Sequence, residues 1–267
     1  MHEQGDATIE TPIASDQSES VDAAVAAAFL VPGLALGSFV NVVAARVPLR
    51  RSIVRPPSAC MSCSAPIAWY DNVPLLSYAL LRGRCRSCST GIPLRYPLVE
   101  LVTALLLAGC VWKFGLSANA AVAALFCAAL VAVSATDLEH HIVPNRIVLP
   151  AAAVVLLAQT ALHPSVEWVL AALGVATFLF AAALVYPKGM GMGDVKLALL
   201  LGAMLGRTVP VALMLGMLAA LAPSVVLVAR HGSSARKMGI PFAPFLALGA
   251  VVALFAGHSL LDAYLAL

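Results

Sequence analysis

The chain has 267 residues, 61% of them hydrophobic and 11% charged, with a mean hydropathy of +0.95 and a net charge of +3. A soluble domain of this length is closer to half apolar and a quarter charged, so an ordinary soluble globule is excluded. The weak net charge gives no reason to expect a nucleic-acid partner.

The first 21 residues are polar and acidic, and residues 1–20 carry no Lys or Arg. That is the reverse of the basic start of a signal peptide, so a disordered acidic tail over 1–21 is expected before an uncleaved first helix. The apolar residues that follow fall into blocks of about 20, the length that crosses a bilayer as a helix. The expected fold is an all-α polytopic membrane protein with about eight transmembrane helices, near 22–45, 97–115, 119–137, 142–162, 165–186, 191–206, 208–230 and 242–264. Residues 46–96 form the one loop large enough for a separate module, and 97–267 form the main transmembrane domain.

Eight of the sixteen basic residues lie in that loop: Arg46, Arg50, Arg51, Arg55, Arg82, Arg84, Arg86 and Arg95. Short basic loops stay in the cytoplasm, which puts the loop inside and both termini outside. Alternation then places the turns near 138–141, 186–193 and 230–240 on the same face as the loop. Lys188, Arg230, Arg236 and Lys237 agree with this, whereas Lys113 and Arg207 are isolated toward the other face.

Within the loop, CMSC (60–63) and CRSC (85–88) are separated by 21 residues. Two CxxC pairs bring four sulfurs to one tetrahedral ion, so Cys60, Cys63, Cys85 and Cys88 are read as a zinc-ribbon-like site for a single structural zinc. Two disulfides are the alternative, disfavoured in a reducing cytoplasm. The run VPLLSYALL (73–81) between the pairs is expected to pack as the module's small core. Cys110 and Cys127 lie inside spans and are expected as buried small hydrophobes.

Acids within or beside spans are functional candidates, since a charge is costly there. Glu167 and Asp262 fall near the outer face and are read as solvated. Glu139, His140 and His141 make a weak metal cluster, because adjacent residues do not share a helical face. Asp137 closes the third span and Asp194 opens the sixth, so topology lets the two meet at one boundary. Two carboxylates sharing a site ionise with difficulty together, which suits a pair that activates water and polarises a carbonyl. Gly189, Gly191 and Gly193 before Asp194 allow unusual backbone conformations and close approach of a substrate strand. An ordinary N-cap role for Asp194 in a flexible turn fits the same residues equally well. The helix dipole favours a negative charge on Asp194, at a helix N-terminus, over Asp137, at a C-terminus. Lys196 is expected to snorkel to headgroups rather than pair with a carboxylate. Pro241 and Pro244 fit the start of the last helix.

Several motifs in order resemble the type IV prepilin peptidases (prepilin leader peptidase/N-methyltransferases). They are GSFVNVVAARVP (37–48), the CxxC pairs, WYDNVPLLSYALLRGRCRSC (69–88), PLRYPLVELVTALL (93–106), the Asp137 turn, GMGDVKL (191–197) and IPFAPFLALGA (240–250). The resemblance implies an aspartic protease of the GxGD type at the cytoplasmic face of the inner membrane. Asp137 and Asp194 match its catalytic pair, Gly191 and Gly193 its loop glycines, and the four loop cysteines its metal quartet. It implies prepilin and pseudopilin substrates, serving type IV pili or type II secretion. It also implies S-adenosylmethionine-dependent N-methylation of the new N-terminal residue. The acidic tail and Asn145, where many relatives carry Asp, depart from the pattern. No glycine-rich cofactor fingerprint is present, and Asp71, Asn72 and Glu100 are polar candidates beside a methyltransferase site. A proton-relay transporter and a zinc-tethered scaffold are the rival classes. Oligomeric state is not legible in the sequence.

Overall fold

The computed structural model describes residues 22–185, 191–232 and 240–266. The acidic tail, Gly189, Lys188, Arg236 and Lys237 lie outside the described residues. The long helices are α1 (Leu30–Arg46), α3 (Arg95–Phe114), α4 (Ala118–His140), α5 (Asn145–Leu162), α6 (Glu167–Val185), α7 (Met192–Leu205), α8 (Val209–His231) and α9 (Ala243–Leu265), with a short α2 (Leu76–Leu80) in the loop. Helix is the expected form for these blocks, because each helix satisfies its own backbone where no water can.

Seven helical stretches among the described residues are long and apolar enough to cross a membrane. One of them, Met192–Arg230, has 39 residues and is not a single pass. At Gly206, whose φ is +53°, the chain reverses through a 3-10 turn, Gly206–Thr208. A Cβ on Gly206 would stand 2.5 Å from Glu167 at the start of α6, so α7 and α6 run antiparallel. Downstream, Thr208 abuts Gly257, whereas Gly216 abuts Leu246 nearer the start of α9. The chain therefore travels back along α9, and the expected sixth and seventh passes are two arms of one stretch.

The interior is made close-packed by small residues, as helix association in lipid requires. A Cβ on Gly249 would strike the Ala212 carbonyl oxygen, and one on Gly202 would lie 2.5 Å from the Ala172 Cα. These contacts join α9 to α8 and α7 to α6. On the other side, α1 lies on α3, with Gly33 and Gly37 against the backbones of Ala104 and Glu100. The most enclosed element is α7: Leu197, Ala198, Leu200 and Leu201 have no exposed surface. It packs against α6, α5 and α9, and it carries Asp194 at its open end.

Capping and packing set the boundaries of α4. Ser117 caps its start by accepting from the Ala120 N–H, and His141 ends it in the left-handed region at φ 51°. Pro144 then prevents continuation before α5 begins. Cys110 and Cys127 are buried in the core with sulfurs 3.9 Å apart, packed as small hydrophobes. Glu167, expected to be solvated, instead accepts from the Arg207 backbone N–H at 2.9 Å, with the guanidinium 3.7 Å away. It thus ties down the reversal, and Arg207 is not isolated. Lys113 likewise donates to carbonyls of α9, Leu254 and Phe255.

The loop departs from its expected build. Leu76 and Leu80 are 55% and 74% exposed, and Ser77 is the buried residue of α2. A five-residue helix has too few apolar positions to enclose a core, so VPLLSYALL does not form one. Polar links hold this segment instead. Ser77 Oγ donates to the Tyr70 carbonyl and accepts from the Val73 N–H. Asp71 receives both Nε and Nη2 of Arg86, at 2.7 and 2.6 Å.

Gly249→Ala is expected to destabilise the protein by about 1–3 kcal/mol, because its Cβ would strike backbone that cannot move aside. Gly174→Ala, where nothing lies within 4 Å, leaves stability unchanged or slightly raised. Thermal unfolding in detergent compares the two.

Candidate active site and metal centre

Asp137 and Asp194 arrive from different helices at the same end of the bundle. Asp137 lies in the last turn of α4 and is 6% exposed. Its Oδ2 accepts from the Ala243 N–H at 3.0 Å, and the Phe242 amide is also in reach. Ala243 is the first residue of α9, and Pro244 follows it. The first turn of any helix leaves N–H groups without intrahelical partners. Here one of those donors is committed to a carboxylate on another helix, and proline removes the next.

Asp194 is the third residue of α7 and half-buried. It is not the N-cap: Gly191 holds that position, with φ −80° and ψ 147°. The Asp194 side chain reaches back to the Gly191 backbone N–H from the third helical position, so Asp194 is not the N-cap of the alternative reading. The same side chain is near enough to Asp137 for their charges to interact. The two carboxylates therefore lie at the same end of the bundle, within electrostatic reach of each other.

Two expectations need correction. Gly193 is needed for space, not for an unusual φ: a Cβ there would stand 2.7 Å from Val143 Cβ, in the turn after α4. That contact seats the start of α7 against the Asp137 turn. Gly191 is less constrained, with its nearest added contact at 3.7 Å. The dipole argument also fails to sort the pair. Asp137 ends its own helix, yet it faces the N-terminus of α9, so both carboxylates meet the positive end of a helix.

Lys196 does not snorkel freely. Its Nζ donates to Asn145 Oδ1 at 2.9 Å and ties α7 to the start of α5. Arg95, opening α3, is ion-paired with Glu139, two residues after Asp137. Glu139 is thereby occupied, and no metal cluster forms with His140 and His141 among the described residues. Neither Lys196–Asn145 nor Arg95–Glu139 was legible beforehand, since both join residues far apart in the chain.

The four loop cysteines do converge. Their sulfurs all lie within 4.8 Å of one another, with Cys60–Cys88 at 3.7 Å and Cys63–Cys85 at 4.0 Å. Tetrahedral coordination at about 2.3 Å puts sulfurs about 3.8 Å apart, so the quartet fits one thiolate-bound ion. The two halves are built alike. In each, the first cysteine's N–H bonds to the carbonyl five residues on, Cys60 to Ala65 and Cys85 to Thr90. Ser64 and Ser89 take matching positive φ of 57° and 58°. An isolated bridge closes each knuckle, Ala59 with Pro66 and Arg84 with Gly91. Thr90, through its hydroxyl and its N–H, draws Cys88 down to about 6. The Ala65 amide favours a thiolate at Cys63, but the neighbouring sulfurs, Cys88 foremost, outweigh it and leave Cys63 at about 11. A cation between the four sulfurs would offset the repulsion among neighbouring thiolates.

The polar candidates near the loop have internal partners. Arg86 holds Asp71 below the usual carboxylate range by hydrogen bond and charge. Glu100 accepts from the Leu75 N–H at 3.0 Å and from Ser38.

Residues 31–114 match the bacterial peptidase A24 N-terminal domain, and residues 124–225 match the type IV leader peptidase family. The first range holds the cysteine quartet, and the second holds both aspartates. A protein of Bacillus subtilis (strain 168) named prepilin leader peptidase/N-methyltransferase is 35% identical over 246 residues, covering 87% of this chain and 95% of its own. One of the same name from Pseudomonas aeruginosa is 34% identical over 266 residues, covering 87% and 91%. A third, from Myxococcus xanthus, is 49% identical over 120 residues, 45% of this chain and 36% of its own. No solved structure matches. With an all-helical fold, two family domains in order and relatives aligned along most of its length, the chain belongs to the type IV leader peptidase family.

Proposed function

We propose that this protein is a membrane aspartic endopeptidase that removes the leader from prepilins and pseudopilins and then N-methylates the exposed N-terminal residue. The observation that carries the peptidase reading is the meeting of Asp137 and Asp194 at one end of the bundle, beside the amides of Phe242 and Ala243. A proton relay for transport would instead place its carboxylates near the middle of the bilayer. The names of the relatives support the substrate class and the second activity. The basic loop supports a cytoplasmic active face, with both termini outside, in the inner membrane.

In this reading one carboxylate takes a proton from water while the other, protonated, donates to the scissile carbonyl. The resulting hydroxyl adds to the carbonyl carbon and gives a neutral gem-diol. Collapse breaks the C–N bond, with a proton passing from the pair to the leaving amine. The Gly193–Val143 contact and the Ala243 amide keep the two groups in register through both steps. Proximity of this kind loses much of its effect when a group shifts by about 1 Å.

Cys60, Cys63, Cys85 and Cys88 would hold one structural zinc, which closes the two knuckles into a single unit. S-adenosylmethionine would supply the methyl group for the second activity. Asp71 and Glu100 have internal partners, and no residue here is assigned to that cofactor. The methyltransferase reading rests on the relatives' name and on the cysteine module.

Incubation of the detergent-solubilised protein with a prepilin tests the peptidase. Asp137→Asn and Asp194→Asn should each slow cleavage by about 10²–10⁴-fold, the range for loss of a general acid or base. A variant that cleaves at the wild-type rate would remove its aspartate from the mechanism. Gly193→Ala should reduce cleavage by about 10²-fold through displacement of Asp194, while Gly191→Ala stays within a few-fold of wild type. Metal analysis of the purified protein should give one zinc per chain, and Cys85→Ser with Cys88→Ser should abolish it. Zinc retained by that double variant would point to other ligands.

A further inference from the structure

The apolar run between the two cysteine knuckles, residues 73–81, encloses no core and has no part in the function proposed above. Its depth is fixed by one hydrogen bond, from the Leu75 N–H to Glu100 Oε2 at 3.0 Å. Glu100 lies inside the span Arg95–Phe114, more than one turn past its start, or about 7.5 Å along the helix. A Cβ on Gly37, in the adjoining span Asp22–Arg46, would stand 2.6 Å from the Glu100 Cα. The run therefore does not stand off in the cytoplasm. It is tied to the flank of two membrane-spanning helices, below the end of α3.

From that tie α2 turns one apolar face outward. Leu76 and Leu80, four residues apart, share this face, and both are exposed. The other side is fastened inward. Ser77 is buried and bonded to Tyr70 and Val73, and the Tyr78 hydroxyl donates to the Ile92 carbonyl. On α3, Leu98 and Leu101 flank Glu100 and are exposed as well, so the leucines of α2 continue a lipid-facing surface. Arg82 and Arg84 follow α2 directly and are exposed. A short apolar face with basic residues beside it suits the layer where headgroups meet acyl chains.

We infer that residues 73–81 are an interfacial anchor, with Leu76 and Leu80 inserted at the headgroup–acyl boundary and Arg82 and Arg84 on the headgroup phosphates. Depth favours phospholipid over a protein as the cover. The headgroup layer is about 5–7 Å thick on each side of the hydrocarbon. A point about 7.5 Å inside the span then lies at the inner edge of that layer when Arg95 sits at its outer edge. Two exposed leucines at that level lose their contact with water to the bilayer itself. The metal centre is held by the same anchor. Cys85 follows Leu80 by five residues, a reach of at most about 18 Å, so the second knuckle stays near the membrane surface. Arg95, paired with Glu139, fastens the other end of the module to the turn that carries Asp137. This anchoring needs only the two spans, whether or not the aspartates cleave a prepilin.

Photo-crosslinking of the full chain in liposomes of phosphatidylethanolamine and phosphatidylglycerol tests the anchor. A photo-reactive residue is placed at Leu80, with Leu98 on α3 as the lipid-facing reference. Phospholipid adducts at Leu80 are expected at a yield within about threefold of that at Leu98. Absence of lipid adducts at Leu80, or adducts to a second copy of the chain in their place, overturns the proposal. Fluorescence gives a second reading. Leu80→Trp adds emission to that of the three native tryptophans, and the added part should be quenched by brominated acyl chains and spared by iodide. Added emission that iodide quenches and brominated lipid leaves unchanged puts the segment in water and overturns the anchor as well.

Discussion

A carboxylate at the edge of a hydrocarbon layer needs donors, and in this protein backbone amides supply them. The Ala243 N–H on Asp137 spans 106 positions of sequence and joins the end of α4 to the start of α9. The Gly191 N–H does the same locally for Asp194. Because the donors are the free amides of helix starts, the position of each carboxylate follows from where a helix begins. That in turn depends on Gly191, Phe242 and Pro244. The geometry of the two carboxylates is thus written into helix boundaries.

Packing then keeps those boundaries in place. The largely buried α7 cannot slide without disturbing contacts to α6, α5 and α9, and Gly193 locks its first turn against Val143. Lys196 with Asn145 and Arg95 with Glu139 brace the same end from two sides. The Arg95 pair also ties the span that follows the cysteine module to the turn that carries Asp137. A disturbance in the module therefore has a short mechanical route to the aspartates.

Much of this was legible in the residues, and the illegible part has a common cause. Hydropathy reports whether a segment is buried and cysteine spacing reports a local knuckle, so the passes and the quartet could be read directly. The shared boundary of Asp137 and Asp194 followed from counting passes. Partner identity could not be read. Glu167 looked solvated until Gly206 brought the Arg207 amide to it, and Lys196 looked free until α5 placed Asn145 beside it. The apolar run in the loop looked like a core because composition cannot reveal that a five-residue helix has too small a face. Dipole reasoning on Asp137 failed for the same reason: the helix that matters is α9, not its own.

The length of α7 has a consequence for the surrounding bilayer. Fourteen residues span about 21 Å, against about 30 Å for a typical hydrocarbon layer. With the start of α7 at one boundary, the turn at Gly206 stops roughly 9 Å short of the other. The ties among Glu167, Arg207 and the backbone there satisfy polar groups that would otherwise lie bare in lipid. Such a hydrophobic mismatch is relieved when the layer thins around the helix. The depth of Asp194 is then coupled to acyl-chain length, which makes membrane thickness a physical variable acting on the two carboxylates.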